Sequence, residues 1–233
     1  MTAPGRTALV TGGTGALGQA VTRRLLAAGD TVWVPYVVDA ERERLLAAVD
    51  TEQAGRLVLE RVDVADATAL GRFVSGARAR HGGIDALITL VGGFTGGTLL
   101  ETDRASWDRM LDLNLTTVFT ATRAIVPHMV AAGRGRVVTI GSRAVVPPAG
   151  GFIAYTVAKA AVIAFTQALA EELRGTRVTA NCVLPSTMDT PANRAAMPTS
   201  DRKGWVSVDS VAAAIAFLAS EDAAEVTGAL VSV

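Results

Sequence analysis

RTALVTGGTGALGQAVTRRLLAAG, residues 6–29, is the stretch that decides the fold of this chain. It joins an apolar, β-branched run to a helical pattern through a glycine-rich turn, and the helix is predicted to begin near Ala16. Four glycines let the backbone turn tightly and approach a phosphate group: Gly12, Gly13, Gly15 and Gly18. A plain strand-to-helix connection could need the same glycines, but at the start of an α/β sheet they indicate a dinucleotide-binding turn.

The rest of the chain repeats the alternation of strand and helix. Runs such as TALV, LITLV and RVVTI are apolar throughout, as expected for strands covered by helices on both faces. We predict strands near residues 6–11, 31–35, 57–62, 84–91, 135–141, 177–183 and 228–232, and helices near 16–29, 40–50, 66–80, 104–131, 152–174 and 207–219. This order predicts an α/β Rossmann fold with a doubly wound, parallel, seven-stranded sheet.

Length and composition favour one domain. The 233 residues are half hydrophobic, which is enough to bury a full core, and no repeat or linker divides them. We therefore expect residues 1–233 to form a single dinucleotide-binding and catalytic domain. The irregular segment 185–204 is rich in Met, Pro, Thr and Asn, and it predicts a mobile flap over the substrate.

Charge and targeting features limit the partners. The 22 basic and 22 acidic residues balance, so a nucleic-acid surface is not expected. Uninterrupted apolar runs such as 211–219 are shorter than the roughly 20 residues of a membrane span, and no leader is expected before Arg6, which favours a cytoplasmic protein. Cys182 has no disulfide partner, and His81 and His128 lack metal-ligand spacing, so no metal is predicted.

A second informative pattern is Tyr155 and Lys159, four residues apart on one helical face, with Ser142 thirteen residues upstream. A phenol has an ordinary pKa of about 10, and an ammonium group beside it favours the phenolate. The pair can therefore work as an acid and base. Surface pairs share this spacing, but the chain has only one other tyrosine, Tyr36, and one other lysine, Lys203.

The end of the second strand is where dinucleotide-binding folds select the cofactor. Pro35 cannot donate to an interior ladder, so we end this strand near Val34. Tyr36 and Val37 then occupy the positions where an acid or an arginine is expected, and neither decides between the cofactors.

Charged residues that follow leave the choice open. Asp39 has about the right offset to bind ribose hydroxyls, but it also suits the N-cap of a helix beginning at Ala40. Arg42 or Arg44 could meet a 2'-phosphate, and both equally suit a solvent-facing helix surface. The cofactor is therefore expected to be NAD or NADP.

In order, these motifs resemble the short-chain dehydrogenase/reductase family, in its single-domain Tyr-x-x-x-Lys branch. The resemblance spans nearly the whole chain. Besides the glycine-rich turn, it rests on Asp63-Val64, Asn114, Ser142, Tyr155 and Lys159. Three segments depart from the family pattern: Ala16 replaces a glycine, Thr89-Leu90-Val91-Gly92 replaces Asn-Asn-Ala-Gly, and Pro185-Ser186 replaces Pro-Gly. The second change loses amide side chains that would tie neighbouring strands together.

The resemblance implies roles for the catalytic residues. Tyr155 would be the acid in carbonyl reduction and the base in alcohol oxidation, and Lys159 would lower its pKa and bind the nicotinamide ribose. Ser142, otherwise a strand-end turn residue, would donate a hydrogen bond to the substrate oxygen. Asn114, otherwise a locally bonded helix residue, would hold a water that links Lys159 to solvent.

The resemblance also implies a set of cofactor-binding residues spread over several loops. It comprises Gly12, Thr14, Gly15, Leu17, Gly18, Tyr36, Asp63, Val64, Val91, Gly92, Tyr155, Lys159, Pro185, Ser186, Met188 and Thr190. Asp63 and Val64 would flank the adenine, and Thr190 would meet the nicotinamide carboxamide.

The implied activity is hydride transfer between a nicotinamide cofactor and a ketone or secondary alcohol, with a 3-oxoacyl-type or other largely apolar substrate. Candidate walls for its pocket are Phe94, Val145, Val146, Phe152, Met188, Met197 and Trp205. A homo-oligomer, dimer or tetramer, is implied through the helices near 104–131 and 152–174. Two alternatives are a non-catalytic dinucleotide-binding regulatory protein and an epimerase or dehydratase, which usually needs a longer chain.

Overall fold

Seven parallel strands form one sheet in the computed structural model, which describes residues 5–233. The strands are β1 (Thr7–Thr11), β2 (Thr31–Tyr36), β3 (Leu57–Arg61), β4 (Ala86–Thr89), β5 (Gly135–Ile140), β6 (Val178–Leu184) and β7 (Leu230–Ser232). Their order across the sheet is β3-β2-β1-β4-β5-β6-β7, and every pairing is parallel. The predicted doubly wound sheet is confirmed.

Helices cover both faces of this sheet. They are α1 (Ala16–Ala27), α2 (Asp39–Ala47), α3 (Thr51–Ala54), α4 (Ala67–His81), α5 (Arg104–Leu111), α6 (Thr117–Ala132), α7 (Ile153–Glu172), α8 (Pro191–Ala196) and α9 (Val208–Leu218). A π-helical turn, Asp112–Thr116, joins α5 to α6, and a 3-10 turn, Glu221–Ala223, follows α9. Helices α1 and α9 cover one face of the central strands, while α4 and α6 cover the other.

The uniformly apolar strands follow from this two-sided cover. Neighbouring residues of a strand point to opposite faces of a sheet. In β1, Val10 packs into the cluster under α1 and α9, whereas Leu9 packs into the cluster under α4 and α6. Val138 and Val137 divide in the same way in β5. All four side chains are fully buried, so neither face of these strands is left to solvent.

The strand order reverses between β1 and β4. From β1 the chain moves outward to β2 and β3, then returns to place β4 on the other side of β1, with Thr11 paired to Thr89. Loops that leave the carboxyl ends of these two strands diverge, and the divergence opens a crevice there. A ligand site is therefore expected at this edge of the sheet.

The predicted end of β2 near Val34 is wrong, because the strand continues through Pro35 to Tyr36. Even-numbered residues of β2 face β3: the Val32 amide donates to Arg56, and the Tyr36 carbonyl accepts from the Val62 amide. Pro35 therefore faces the β1 side, where the register with β1 ends at Trp33. The missing N–H costs no ladder hydrogen bond at that position.

The single long helix predicted over 104–131 is also wrong in its middle, where the π-helical turn separates α5 from α6. Asn114 lies in this turn and is fully buried. Its Nδ2 donates to the carbonyls of Met110 and Gly93, at 3.0 and 3.1 Å. The wider π turn aims Asn114 at the Gly93 loop, and such turns often occur at functional sites.

Two further segments differ from expectation. The segment 185–204, predicted as a flap, contains the short helix α8, whose first turn is capped by Thr190.

Helix α7 averages a hydropathy of 1.5 over 18 residues and is long and apolar enough, by composition, to span a membrane. It packs against β5 and β6 with Ala158, Val162 and Thr166 buried, so it is a core helix of this fold.

Candidate active site

The glycine-rich turn after β1 has the shape that the sequence predicts. Gly12 has a φ of 69°, and a Cβ there would lie 2.8 Å from the backbone of Leu90 and Val91. A Cβ on Gly18 would overlap the Gly12 carbonyl oxygen. Glycine is therefore required at both positions. Ala16 starts α1 in an ordinary helical conformation, so its departure from the family pattern is accommodated.

The first turn of α1 suits a phosphate group. Its N-cap, Gly15, has no side chain to bond the free N–H groups, and no acidic residue lies in that turn. At the start of α4, by contrast, Asp66 accepts hydrogen bonds from the amides of Thr68 and Ala69. The unpaired N–H groups and the positive end of the dipole of α1 therefore stay available for the pyrophosphate of a dinucleotide.

A cleft of about 730 Å³ opens beside this turn, at the carboxyl ends of β1, β2, β3 and β4. It is within the size range of small-molecule sites. Eight of the predicted cofactor residues line it: Gly12, Thr14, Gly15, Tyr36, Asp63, Val64, Val91 and Gly92. The residues present therefore fit a nicotinamide dinucleotide, with the adenosine end expected near β2 and β3.

The other predicted cofactor residues lie elsewhere. The Leu17 side chain does not line the cleft, because it is buried in the core under α1 and α9. Met188 packs partly against the same core and pairs with Val206. Pro185, Ser186 and Thr190 follow β6; the Pro185 carbonyl accepts from the Arg143 amide at 3.0 Å, which places this loop beside Ser142.

Asn114 and Lys159 meet behind Gly92, a residue of the cleft wall. A Cβ on Gly92 would lie 2.7 Å from Asn114 Oδ1 and 3.3 Å from Lys159 Nζ. Asn114 Oδ1 also accepts from the Gly93 amide at 3.2 Å, so the side chain holds this loop from both its donor and its acceptor. Gly92 lines the cleft, and the absence of a side chain there leaves room for Asn114 Oδ1 and Lys159 Nζ directly behind it.

Lys159 is almost fully buried, and its Nζ donates to the Ile140 carbonyl at 3.0 Å. One of its three N–H bonds is used in this way. Burial disfavours the ammonium and lowers the pKa of Lys159 to about 8, against a small opposing effect of Cys182. At neutral pH the lysine therefore remains mostly charged.

Tyr155 lies with Ser142 at the carboxyl end of β5. Burial raises the pKa of Tyr155 above its ordinary value of 10, and the Ser142 hydroxyl opposes this to a smaller extent. The net shift of this pKa is therefore upward and Lys159 is not among its causes, whereas the resemblance implies a lowering by Lys159. Ser142 Oγ also accepts from the Ala144 amide at 3.2 Å, which fixes the hydroxyl in the turn after β5.

Aromatic rings surround the phenol. Phe94 packs edge-on against Tyr155 with 5.0 Å between the ring centroids, and Phe152 lies 6.1 Å from Tyr155 and 5.7 Å from Phe94. Phe94 is 63% exposed, so one side of its ring remains open to a ligand. Val145, by contrast, is buried against Val118 and Val162 and cannot form a pocket wall as predicted.

The replacement of the family's asparagine by Thr89, at the end of β4, leaves a buried hydroxyl unpaired among the described residues. Thr89 stands where the family pattern has an asparagine, and its Oγ1 is buried without a hydrogen-bond partner among the described residues. Its neighbour Thr11, paired with it across β1 and β4, is also buried. The tie between strands that an amide would supply is therefore absent here.

Several cleft residues were missed by sequence reasoning, and Glu41 is the most informative. It lies in the first turn of α2 and lines the cleft, where Thr14 Oγ1 donates to its Oε2 at 3.1 Å. Asp39, Arg42 and Arg44 were the candidates instead, but Asp39 is the first residue of α2 after the N-cap Val38 and pairs with Arg61, and neither arginine lines the cleft. In the sequence, the only sign that Glu41 lies at the cleft is its position in the first turn of the helix that follows β2.

Comparison with known proteins agrees with this arrangement. Residues 6–201 match the short chain dehydrogenase family. The chain belongs to this family. It is 34% identical to nodulation protein G of Rhizobium sp. (strain N33) over 98% of the chain and 95% of that protein. It is 30% identical to 2-(R)-hydroxypropyl-CoM dehydrogenase of Xanthobacter autotrophicus (strain ATCC BAA-1158 / Py2), over 96% of the chain and 95% of that protein.

The crystal structure of levodione reductase has the same architecture, with a TM-score of 0.89 and 26% identity over 98% of this chain and 95% of that one. As a short-chain dehydrogenase/reductase, the protein is an NAD(P)-dependent oxidoreductase that acts on alcohol and ketone groups. The related proteins named here include a dehydrogenase and a reductase, and none supports the alternative of a non-catalytic regulator.

Proposed function

We propose that this oxidoreductase interconverts a largely apolar ketone and its secondary alcohol, and that Tyr155 transfers the proton. The observation that carries the proposal is the position of the phenol, which is beside the Ser142 hydroxyl and inside an aromatic wall formed by Phe94 and Phe152. A single carbonyl oxygen can bond both hydroxyls while its apolar substituents contact the rings.

Proton transfer follows from the state of Tyr155. When bound, the nicotinamide supplies or accepts the hydride. Because burial raises the pKa of Tyr155, the phenol is protonated at neutral pH and donates to the oxygen that gains charge during reduction. Ser142 supplies a second hydrogen bond to that oxygen. In alcohol oxidation the same proton moves in the opposite direction.

Lys159 is proposed to bind the nicotinamide ribose and to favour the phenolate once Tyr155 has given up its proton. Two of its N–H bonds remain after the bond to the Ile140 carbonyl, and a Cβ on Gly92, a residue of the cleft wall, would lie within 3.3 Å of its Nζ. A charge buried to this extent interacts strongly with groups that approach it, because little water screens it.

Asn114 is proposed to support this lysine. Both hydrogens of its Nδ2 are used on the carbonyls of Met110 and Gly93, so only Oδ1 can accept from a water that links Lys159 to solvent. The same bonds hold the loop after β4 in place. Asn114 is therefore expected to influence both proton exchange and the shape of the cofactor cleft.

The substrate is proposed to be an apolar, cyclic or aryl-bearing ketone, with a 3-oxoacyl thioester as the second candidate. The exposed ring of Phe94 beside Tyr155 favours a flat apolar group. By their names, one similar protein reduces levodione and another dehydrogenates 2-(R)-hydroxypropyl-CoM. Arg143, exposed next to Ser142, could contact the charged end of a thioester carrier.

Self-association and location complete the proposal. We propose a homo-oligomer, dimer or tetramer, in which α6 and α7 pair with those of a second copy. The large apolar side chains of Phe119 on α6 and Val157 on α7 are exposed, and so are the small Ala164 and Ala168 on α7, which would allow close helix contact.

A cytoplasmic location is proposed because the single cysteine, Cys182, is buried and forms no disulfide, and proteins without disulfides suit a reducing compartment.

A carbonyl panel tests the activity and the role of Ser142 together. Cyclic, aryl and 3-oxoacyl ketones are offered with each reduced nicotinamide dinucleotide, and the loss of reduced cofactor is followed. Ser142→Ala should lower kcat by on the order of 100-fold with little change in cofactor affinity, because one hydrogen bond to the developing charge is lost. Ser75→Ala, an exposed hydroxyl on α4, is the matched control. Undiminished turnover by Ser142→Ala would refute the role.

A further inference from the structure

We infer that Glu41 selects NAD over NADP by binding the adenosine ribose and repelling a 2'-phosphate, and that Thr14 holds its carboxylate in place. This inference rests on the proposed function, because it concerns the cofactor of the same site. It assigns a choice that the family alone leaves open.

The contact between Glu41 and Thr14 spans the adenosine end of the cleft. Thr14 belongs to the glycine-rich turn and is 4% exposed, while Glu41 belongs to the first turn of α2. Thr14 Oγ1 donates to Glu41 Oε2 at 3.1 Å. The bond uses one carboxylate oxygen and fixes the direction of the other.

The second oxygen of Glu41 remains available to a ligand. Glu41 Oε1 is 3.9 Å from Arg44 Nη2, which is too far for a hydrogen bond. Both Glu41 and its neighbour Tyr36 line the cleft at the end of β2, where ribose hydroxyls lie in dinucleotide-binding folds. A carboxylate oxygen is an acceptor only, so it can bind the hydroxyls of the ribose but cannot donate to a phosphate.

The charges at this end of the cleft are acidic. Among the described residues that line it near β2 and β3, the charged side chains are Glu41 and Asp63, and none is basic. Arg61, which could have met a phosphate, is paired with Asp39 at 2.6 Å. Arg42 stacks over the ring of Tyr36, 5.8 Å from its centroid, and does not line the cleft.

A 2'-phosphate would therefore enter an unfavourable field. Near neutral pH it carries a charge of about −1.5 to −2, and it would approach the Glu41 carboxylate with no cation in the described wall near β2 and β3 to bind it. Arg109 lines the same cleft but lies on α5, and Arg44, 3.9 Å from Glu41 Oε1, does not line it. A ribose with a free 2'-hydroxyl avoids this repulsion and gains an acceptor. The structure thus favours NAD through a residue on α2 and not through the last residue of β2, which is Tyr36.

Binding of cofactor fragments tests the inference without any turnover. ADP-ribose and 2'-phospho-ADP-ribose, which lack the nicotinamide, are titrated into the unliganded protein by calorimetry. The wild-type protein should bind ADP-ribose on the order of 30-fold tighter. Glu41→Gln should reduce this ratio to about threefold or less, chiefly by improving the affinity for the phosphorylated fragment.

Two further variants separate position from charge. Thr14→Val leaves the carboxylate in the cleft but frees it, so it should weaken ADP-ribose binding about tenfold while the phosphorylated fragment stays disfavoured. Glu43→Gln removes the same charge from an exposed site on the same helix and should leave the ratio unchanged.

Three results would overturn the inference: a wild-type ratio near one, a preference for the phosphorylated fragment, or no binding of either fragment. A ratio that falls equally in Glu43→Gln would also overturn it, because it would show a general charge effect. A protein that keeps the fragment preference but reduces no ketone would contradict the proposed reaction and leave the role of Glu41 intact.

Discussion

Replacing Lys159 with methionine should stabilise the protein in the absence of cofactor while abolishing its activity. The lysine is almost fully buried, and burial lowers its pKa from the ordinary value of 10.5 to about 8. At 1.36 kcal/mol per pH unit, this difference corresponds to about 3 kcal/mol by which the charged form destabilises the fold at neutral pH. The Lys159→Met variant removes the charge and keeps an unbranched apolar chain of similar length.

The lost hydrogen bond reduces the gain. Lys159 Nζ donates to the Ile140 carbonyl, and a buried hydrogen bond contributes about 1 kcal/mol. The expected net stabilisation at pH 7 is therefore about 2 kcal/mol, or about 4–8 °C in the unfolding midpoint of a chain of this size.

The pH dependence provides a sharper signature. Between about pH 8 and 10.5 the unfolded chain holds a proton on Lys159 that the folded protein has released, so wild-type stability rises with pH relative to the variant. The difference between the two proteins should shrink across this window. Tyr155 and Cys182 titrate in both proteins, so their contributions largely cancel in the comparison.

Urea unfolding of both proteins, without cofactor, at pH 7, 8, 9 and 10 measures this difference. Lys203→Met, at the chain's only other lysine, which is exposed, is the matched control and should change stability little at any pH. A variant less stable than the wild type at pH 7, or a difference that does not change from pH 8 to 10, would refute the reasoning.

Three other predictions follow from single contacts. Thr89→Val should raise the free energy of unfolding by about 1 kcal/mol, because it removes a buried hydroxyl that has no partner among the described residues. Thr139→Val breaks the 2.7 Å bond to Thr166 and should lower the free energy of unfolding by about 1–3 kcal/mol. Urea unfolding measures both changes, and two changes of the same sign would contradict the account. Gly92→Ala would place a Cβ 2.7 Å from Asn114 Oδ1 and should weaken dinucleotide binding at least about tenfold by titration, while Gly71→Ala, in open space on α4, should not. Phe94→Ala should raise KM for aryl ketones about tenfold with a smaller effect on short aliphatic ketones, and an equal effect on both would exclude a stacking role.

Much of the fold could be predicted because its signals are local. The apolar runs of β1, β4 and β5 and the spacing of Gly12 and Gly18 depend on strand burial and turn shape, which nearby residues reveal. The spacing of Tyr155 and Lys159 likewise predicted a shared helical face. The sequence-based predictions were wrong where the local structure or pKa depends on an element that is distant in sequence.

Pro35 is one such case, since its tolerance depends on which side of β2 its nitrogen faces, and that is set by the registers with β1 and β3. The π-helical turn at Asn114 depends on its contact with the Gly93 loop, which is distant in sequence. Similarly, the pKa of Tyr155 depends on how far the surrounding structure buries its phenol, which the Tyr-x-x-x-Lys spacing alone does not show.

The central claim is that the Tyr155 hydroxyl gives the proton to the substrate oxygen, and Tyr155→Phe tests it most directly. Cofactor affinity should stay within about threefold, while single-turnover oxidation of the bound reduced cofactor by a reactive ketone should slow by about 100-fold to 10,000-fold. A Tyr155→Phe protein that binds cofactor normally and reduces the ketone within tenfold of the wild-type rate would contradict the account.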